Sequence, residues 1–136
     1  SCHVIPAIIN KMASAKKKRK NSIKLFGTGN QMREFLYVDD AADAIIKSIN
    51  YSGDLNRINI GTGNTVTIKK LSNTIKKIMK FNGKILWNKK TESGIFKKNF
   101  NISLAKNKLK FSHKVNLEKG LIKTINWYNE TNKTSI

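Results

Sequence analysis

Residues 26–46, FGTGNQMREFLYVDDAADAII, constrain the fold of this chain more than any other stretch. Two glycines at its start allow a tight turn with positive φ, and the apolar run 35–38 predicts a short buried strand. Asp39 is then predicted to cap a helix with one apolar face, formed by residues at helical spacing: Ala42, Ile45, Ile46 and Ile49. An arginine held between a glycine turn and a buried strand, as Arg33 is here, is well placed to bind an anion.

Strand patterns and helix patterns alternate along the rest of the chain. The predicted strands are residues 23–26, 58–60 and 84–87, with a short helical turn near residues 102–105. Three further helices are predicted. The first begins at Pro6, which occupies the first helical position, and the second is capped by Thr67. The third extends from Leu117 to about Tyr128. Because short strands alternate with helices, the predicted fold class is α/β.

Length and composition exclude several classes of protein. The 136 residues suffice for one modest domain, and a single cysteine with two histidines argues against a disulfide framework or a zinc site. No apolar run is long enough to span a membrane and no signal-peptide pattern occurs, so we expect a cytoplasmic protein. Since residue 1 is serine and a helix pattern follows almost at once, we expect residues 1–136 to be a fragment.

The formal net charge of +19 favours phosphate-rich partners. Lysines nevertheless occur in every segment, and the one dense block, KKKRK at 16–20, predicts a basic surface loop over residues 16–22. A nucleic-acid-binding module is the alternative from a different functional class. The absence of a stacking-aromatic motif and the even spread of lysine argue against it.

Four motifs, taken in order, resemble the carboxy-terminal half of the GDP-L-fucose synthase family, a branch of the extended short-chain dehydrogenase/reductases. They are HVIPAIINKM, LFGTGNQMREFLYVDDAADAI, INIGTGNTVTIKKLSNTI and GIFKKN. The glycine and VDD elements are typical of the whole superfamily, whereas HVIPA together with MREF narrows the choice to the GDP-fucose branch. Another nucleotide-sugar epimerase, dehydratase or reductase of that superfamily remains the alternative.

The resemblance implies a two-part, homodimeric enzyme. Its amino-terminal Rossmann half would bind NADP, and this chain would form the substrate-binding part. The family acts on GDP-4-keto-6-deoxymannose, inverting carbons 3 and 5 and then reducing the 4-keto group with hydride from NADPH.

The resemblance also assigns five candidate site residues. His3 matches the active-site histidine, the proposed acid in epimerisation, which also lies near the cofactor. Arg33 matches the substrate-binding arginine of MREF, and Phe26 an aromatic residue of the sugar-nucleotide pocket. Lys11 stands where the family commonly has a substrate-binding arginine, and Lys98 matches a substrate-side lysine. Arginine and lysine suit a pyrophosphate, although Lys11 lacks the planar fork of an arginine.

Three of these assignments have a structural alternative, and the neighbouring Lys97 could take the role given to Lys98. Without the motif, His3 would be interpreted as a helix cap or a surface residue. Arg33 could be a structural arginine paired with Asp39 or Asp40, and Phe26 could be a core residue. The Gly61–Gly63 turn resembles a phosphate loop but lacks its Lys-Ser/Thr signature, which favours a plain strand-to-helix turn.

The two motifs that would complete the enzyme do not occur in this sequence. There is no Tyr-x-x-x-Lys and no strand–GxxGxxG–helix pattern. We therefore expect the Rossmann half to be absent and this chain alone to be inactive.

Overall fold

Helices and strands alternate in the computed structural model, which describes residues 3–53, 57–89 and 96–133. Its elements in chain order are α1 (Val4–Lys17), β1 (Ser22–Phe26), β2 (Met32–Glu34), α2 (Val38–Ile49), β3 (Thr65–Thr67), α3 (Ile68–Ile78), β4 (Lys84–Asn88), α4 (Ser103–Leu109) and α5 (Leu117–Lys133). The predicted α/β class is confirmed. Cys2 and the first two residues of the GIFKKN motif lie outside the described residues.

The strands of the described part form two small sheets. β1 and β4 pair in parallel, with Ser22 opposite Lys84. β2 and β3 pair antiparallel, with Met32 opposite Thr67, and a parallel bridge between Met32 and Lys97 adds a third segment to this second sheet. The strands predicted at 23–26 and 84–87 are therefore confirmed, and they are each other's partners.

The main core lies where three helices cover β1. The buried residues come from one face of each helix and from alternate positions of the strand: Ile8, Ile9, Met12, Ile23, Leu25, Leu71, Ile75, Leu121 and Ile125. Burying one such side chain contributes about 1.5–3 kcal/mol, so this cluster is the main source of stability. A smaller second cluster joins α2 and α4 through Ala44, Ala105, Leu109 and Phe111.

α2 turns its most apolar side toward solvent. The aliphatic residues Val38, Ile45, Ile46 and Ile49 are 58% to 77% exposed. The residues that face the described part of the chain are instead Asp40 and Ala44, which are 3% and 1% exposed. The predicted apolar face exists, but within the described residues nothing covers it.

Two of the predicted strands are wrong. Residues 35–38 and 58–60 are not strands; the observed strands β2 and β3 occupy residues 32–34 and 65–67. β2 is anchored on both sides by main-chain pairing, with β3 and with residues 96–98. Tertiary pairing therefore outweighs the stronger apolar pattern of residues 35–38.

Helix ends also differ from the prediction at several points. The N-cap of α2 is Tyr37, which makes no side-chain capping hydrogen bond, and not Asp39. Asp39 lies in the first turn, where its negative charge interacts favourably with the positive end of the helix dipole. Pro6 is the third residue of α1 and not the first. An N–H at this position would have no intrahelical partner, so the helix loses no hydrogen bond to proline. α5 continues to Lys133, past the predicted end at Tyr128. The Thr67 cap is confirmed, since its hydroxyl accepts the Lys70 N–H at 3.1 Å.

The basic loop predicted at 16–22 is shorter than expected. α1 continues through Lys17 and β1 begins at Ser22, which leaves residues 18–21 as the connection. Lysine is a good helix former, and the Lys16 ammonium donates to the Met79 carbonyl at 2.8 Å. Part of the basic block therefore extends a helix and closes its end against α3.

Candidate functional site

The glycine turn between β1 and β2 is held by two other elements, β4 and α3. Gly27 and Gly29 both have φ of +77°, which favours glycine. The Gly27 N–H donates to the Asn88 carbonyl at 2.9 Å, and the Gly29 carbonyl accepts the Lys69 N–H at 2.8 Å. A Cβ at position 29 would lie 2.6 Å from the Trp87 ring, so the turn fits closely against β4.

Arg33 follows this turn in β2 and is half-buried. Its Nη1 donates to the Met32 carbonyl at 2.8 Å and lies 3.5 Å from the Phe96 carbonyl. The carboxylates considered as structural partners are engaged elsewhere: Asp39 with Lys123 at 3.3 Å, and Asp40 with two main-chain N–H groups. The guanidinium therefore lies between β2 and the segment that contains Lys98.

Residues 96–98 run alongside β2. The Met32 N–H donates to the Phe96 carbonyl at 2.7 Å, and the Lys98 N–H donates to the Met32 carbonyl at 3.1 Å. The Lys98 residue is exposed. The structure thus brings Arg33 and Lys98 onto neighbouring segments, although they are 65 positions apart in the sequence.

Lys11 and Phe26 form a second pair. The Lys11 Nζ lies 4.7 Å from the centre of the Phe26 ring and donates to the Lys24 carbonyl at 2.8 Å. Phe26 is 69% exposed, so the alternative that it is a core residue is wrong. An exposed ring with an ammonium over it presents both a stacking surface and a positive charge.

His3 occupies the N-cap position of α1. It is exposed, its side chain makes no capping hydrogen bond, and only its carbonyl takes part, accepting the Ala7 N–H at 3.0 Å. Among the described residues it joins neither pair through a hydrogen bond or ring contact. Its imidazole is open to solvent at the start of the helix.

Sequence reasoning missed two carboxylates. Glu34 accepts N–H groups from Thr62, Gly63 and Phe100, and Asp40 accepts those of Lys114 and Val115. Both lie inside the quoted motifs, but their partners are 28 to 75 residues away in the chain. No local pattern indicates such contacts.

An apolar groove of about 240 Å³ lies between α5 and the segment before α2. Residues that line it include Ile5, Phe35, Tyr37, Val38, Leu117 and Gly120, and none of the five candidate residues is among its lining. Val38 belongs both to this groove and to the exposed face of α2, so the two apolar surfaces are continuous.

The described residues contain no group of three or more His, Cys, Asp or Glu side chains able to hold a metal ion. None of the described helices has the length and hydrophobicity needed to cross a membrane.

Comparison with known proteins identifies the class. Residues 1–61 match the model of the NAD dependent epimerase/dehydratase family. The structure superimposes on UDP-glucose 4-epimerase from Thermotoga maritima with a TM-score of 0.84 and 27% identity, covering 96% of this chain and 40% of that one. The chain is therefore similar to this family over residues 1–61, and its α/β fold is that of part of an extended short-chain dehydrogenase/reductase.

More specific similarity is to GDP-L-fucose synthases. The chain is 37% identical to a probable GDP-L-fucose synthase of Oryza sativa over 94% of its own length and 39% of the relative's. A GDP-L-fucose synthetase from Naegleria fowleri, solved with NADP, has the same fold at a TM-score of 0.86 and 24% identity, with 97% of this chain and 41% of that one covered. The chain therefore spans about two fifths of the length of these proteins.

Proposed function

We propose that this chain is the substrate-binding part of an NADP-dependent GDP-sugar epimerase/reductase of the GDP-L-fucose synthase type. The observation on which the proposal rests is the 37% identity to a probable GDP-L-fucose synthase over almost the whole chain. The substrate of the complete enzyme would be GDP-4-keto-6-deoxymannose, converted to GDP-L-fucose by inversion at carbons 3 and 5 and reduction at carbon 4.

The proposed roles come from the motif resemblance, and the charges of the side chains agree with them. Arg33 binds the pyrophosphate, because its planar fork can donate to two oxygens at once, and Lys98 adds a second cation from the neighbouring segment. Lys11 and Phe26 are proposed to contact the same sugar-nucleotide as a second pair. His3 would lie near the cofactor and return a proton to carbon 3 or 5 after a base outside these 136 residues has removed the original one.

The two glycine turns do not fit NADP. Of the two glycine turns, one has its Gly27 N–H bonded to Asn88, and the other has the N–H groups of Thr62 and Gly63 bonded to Glu34. These N–H groups are therefore engaged and do not face a dinucleotide phosphate. We assign no hydride step to this chain and propose that NADP is held mainly by polypeptide outside these 136 residues, without which the chain is inactive.

The exposed face of α2 and the adjoining groove support the proposal that a separate part of the polypeptide binds NADP. An exposed apolar surface of this kind is typical of a contact region. We propose that the polypeptide that binds NADP packs there.

A cytoplasmic location and a homodimer of the complete enzyme stay predictions. Gel filtration of the complete enzyme tests whether it is a homodimer.

Nucleotide binding tests the proposal. Isothermal titration of the chain with GDP and with UDP should give tighter binding of GDP. Tighter binding of UDP would favour the alternative superfamily member, such as a UDP-sugar epimerase, to which the fold is also similar, with a TM-score of 0.84. A steep fall of RNA or DNA affinity with salt, with no response to GDP, would instead favour a nucleic-acid-binding module.

Arg33→Ala is the first variant to measure. Losing charge-assisted hydrogen bonds to a phosphate should weaken GDP binding by about tenfold or more. Lys108→Ala, an exposed cation of α4, is the matched control and should leave GDP affinity within about twofold. Equal affinity of both variants for GDP would contradict the role given to Arg33.

A further inference from the structure

The carboxylate of Glu34 connects three segments that are remote in the sequence. It projects from β2; Oε1 accepts the N–H groups of Thr62 and of Gly63, the latter at 2.7 Å, and lies 3.3 Å from the Thr62 hydroxyl. Oε2 accepts the Phe100 N–H at 3.0 Å. The turn before β3 thus has the N–H geometry of an anion site, but the anion is a side chain of the protein itself.

The turn is shaped to admit this carboxylate. Gly63 has a φ of +74°, and a Cβ at position 61 would collide with Oε1 of Glu34. Gly61 itself is buried and its φ lies outside the positive region. The requirement for glycine at 61 is therefore space for Glu34 rather than backbone conformation.

Glu34 and Arg33 hold opposite ends of the same short segment. The Arg33 guanidinium reaches the Phe96 carbonyl and the Glu34 carboxylate binds the Phe100 N–H, while the Lys98 N–H is bonded to Met32 between them. Lys98 lies midway between the two attachments. Its position depends on both.

We propose that Glu34 is a positioning residue that orders segment 96–100 and so presents Lys98 to the nucleotide pyrophosphate. Its action on the ligand passes through Lys98 and rests on the proposed function, whereas its ordering of the segment does not. A carboxylate that touched the ligand directly would repel it, so the two possibilities predict opposite effects of neutralising Glu34.

Amide hydrogen exchange of the whole chain tests the ordering. Glutamine has one acceptor oxygen and one donor nitrogen, so Glu34→Gln cannot serve both the 62–63 turn and Phe100. We expect at least about tenfold faster exchange at the Phe100 and Lys98 amides, with Leu71 and Ile75 in the core unchanged. Glu118→Gln, which removes the same charge from an exposed site on α5, should change none of these rates.

Gly61→Ala is a second way to remove the hydrogen bonds between the Glu34 carboxylate and its main-chain partners. Its Cβ displaces the carboxylate while leaving Glu34 intact, so exchange at Phe100 and Lys98 should accelerate as in Glu34→Gln. Unchanged Phe100 exchange in both variants, or an equal acceleration throughout the core, would overturn the ordering role.

A double-mutant cycle with GDP tests the route through Lys98. Glu34→Gln and Lys98→Gln should each weaken GDP binding, and the double variant should bind within about twofold of Lys98→Gln alone. Additive losses, or tighter binding by Glu34→Gln, would overturn the proposed route. If the unmodified chain binds no GDP, the proposed function fails, and the exchange rates still decide whether Glu34 orders the segment.

Discussion

Asp40 connects the start of α2 to the segment that leads into α5. It is 3% exposed, and its two oxygens accept the Lys114 N–H at 2.9 Å and the Val115 N–H at 3.0 Å. Buried N–H groups need partners, because leaving one unsatisfied costs about 1–3 kcal/mol. A single carboxylate thus satisfies two main-chain donors more than 70 residues away.

Asp40→Asn should reduce the free energy of unfolding by about 1.5–3 kcal/mol, since the amide nitrogen would face one of the two N–H donors. Urea unfolding followed by circular dichroism measures the change. The control is Asp39→Asn, because the Asp39 side chain is 63% exposed and paired with an exposed lysine; its cost should stay below about 1 kcal/mol. Equal losses in the two variants would contradict the anchoring role of Asp40.

At the scale of elements, α2 is oriented with small and polar residues inward. Ala44 is enclosed by the cluster that includes Ala105, Leu109 and Phe111, whereas Ile49 on the other side is 77% exposed. Amphipathic spacing identifies an apolar face but does not say which surface will cover it. Within the described residues, the helix is held by its less apolar side.

Substitutions on the two sides of α2 should therefore differ in their effect on stability. Ile49→Lys should change the free energy of unfolding by no more than about 0.5 kcal/mol. Ala44→Leu should reduce it by about 1–3 kcal/mol through overpacking. Chemical denaturation of both variants measures this difference, and a larger loss for Ile49→Lys would mean that the outer face is buried in the folded chain.

At the scale of the whole molecule, the dominant electrostatic property is self-repulsion. The chain has 27 lysine and arginine residues against 8 acidic ones, and the ion pairs formed by Asp39 and Asp43 are at least partly exposed. Net charge of this size destabilises a compact state, and salt screens it.

Thermal stability should consequently rise with modest ionic strength. Between about 10 mM and 150 mM NaCl the screening length falls from roughly 30 Å to 8 Å, which removes most long-range repulsion. We expect a higher Tm at the higher concentration, measured by circular dichroism at fixed pH. A variant with several exposed lysines changed to glutamine should show a smaller increase, and a Tm independent of salt in the parent chain would contradict net repulsion.

Local patterns were sufficient for much of the fold. The α/β class, the strands at 23–26 and 84–87, the Thr67 cap and the three helices of the core all follow from residues within one or two turns of each other. The motif resemblance selected the family, which the comparisons support over almost the entire chain. Of the candidate site, it predicted Arg33 and Lys98, which the fold brings to adjacent segments, and Lys11 and Phe26, which are in direct contact.

Only the tertiary structure decided the rest, because the decisive partners are far apart in the chain. Pairing with β3 and with residues 96–98 placed the second sheet at 32–34 instead of the more apolar 35–38. The N–H groups of remote loops gave Glu34 and Asp40 their roles. Periodicity gave α2 an apolar face, but packing against α4 through Ala44 turned that face outward, since the direction in which a helix docks depends on its neighbours rather than on its own sequence.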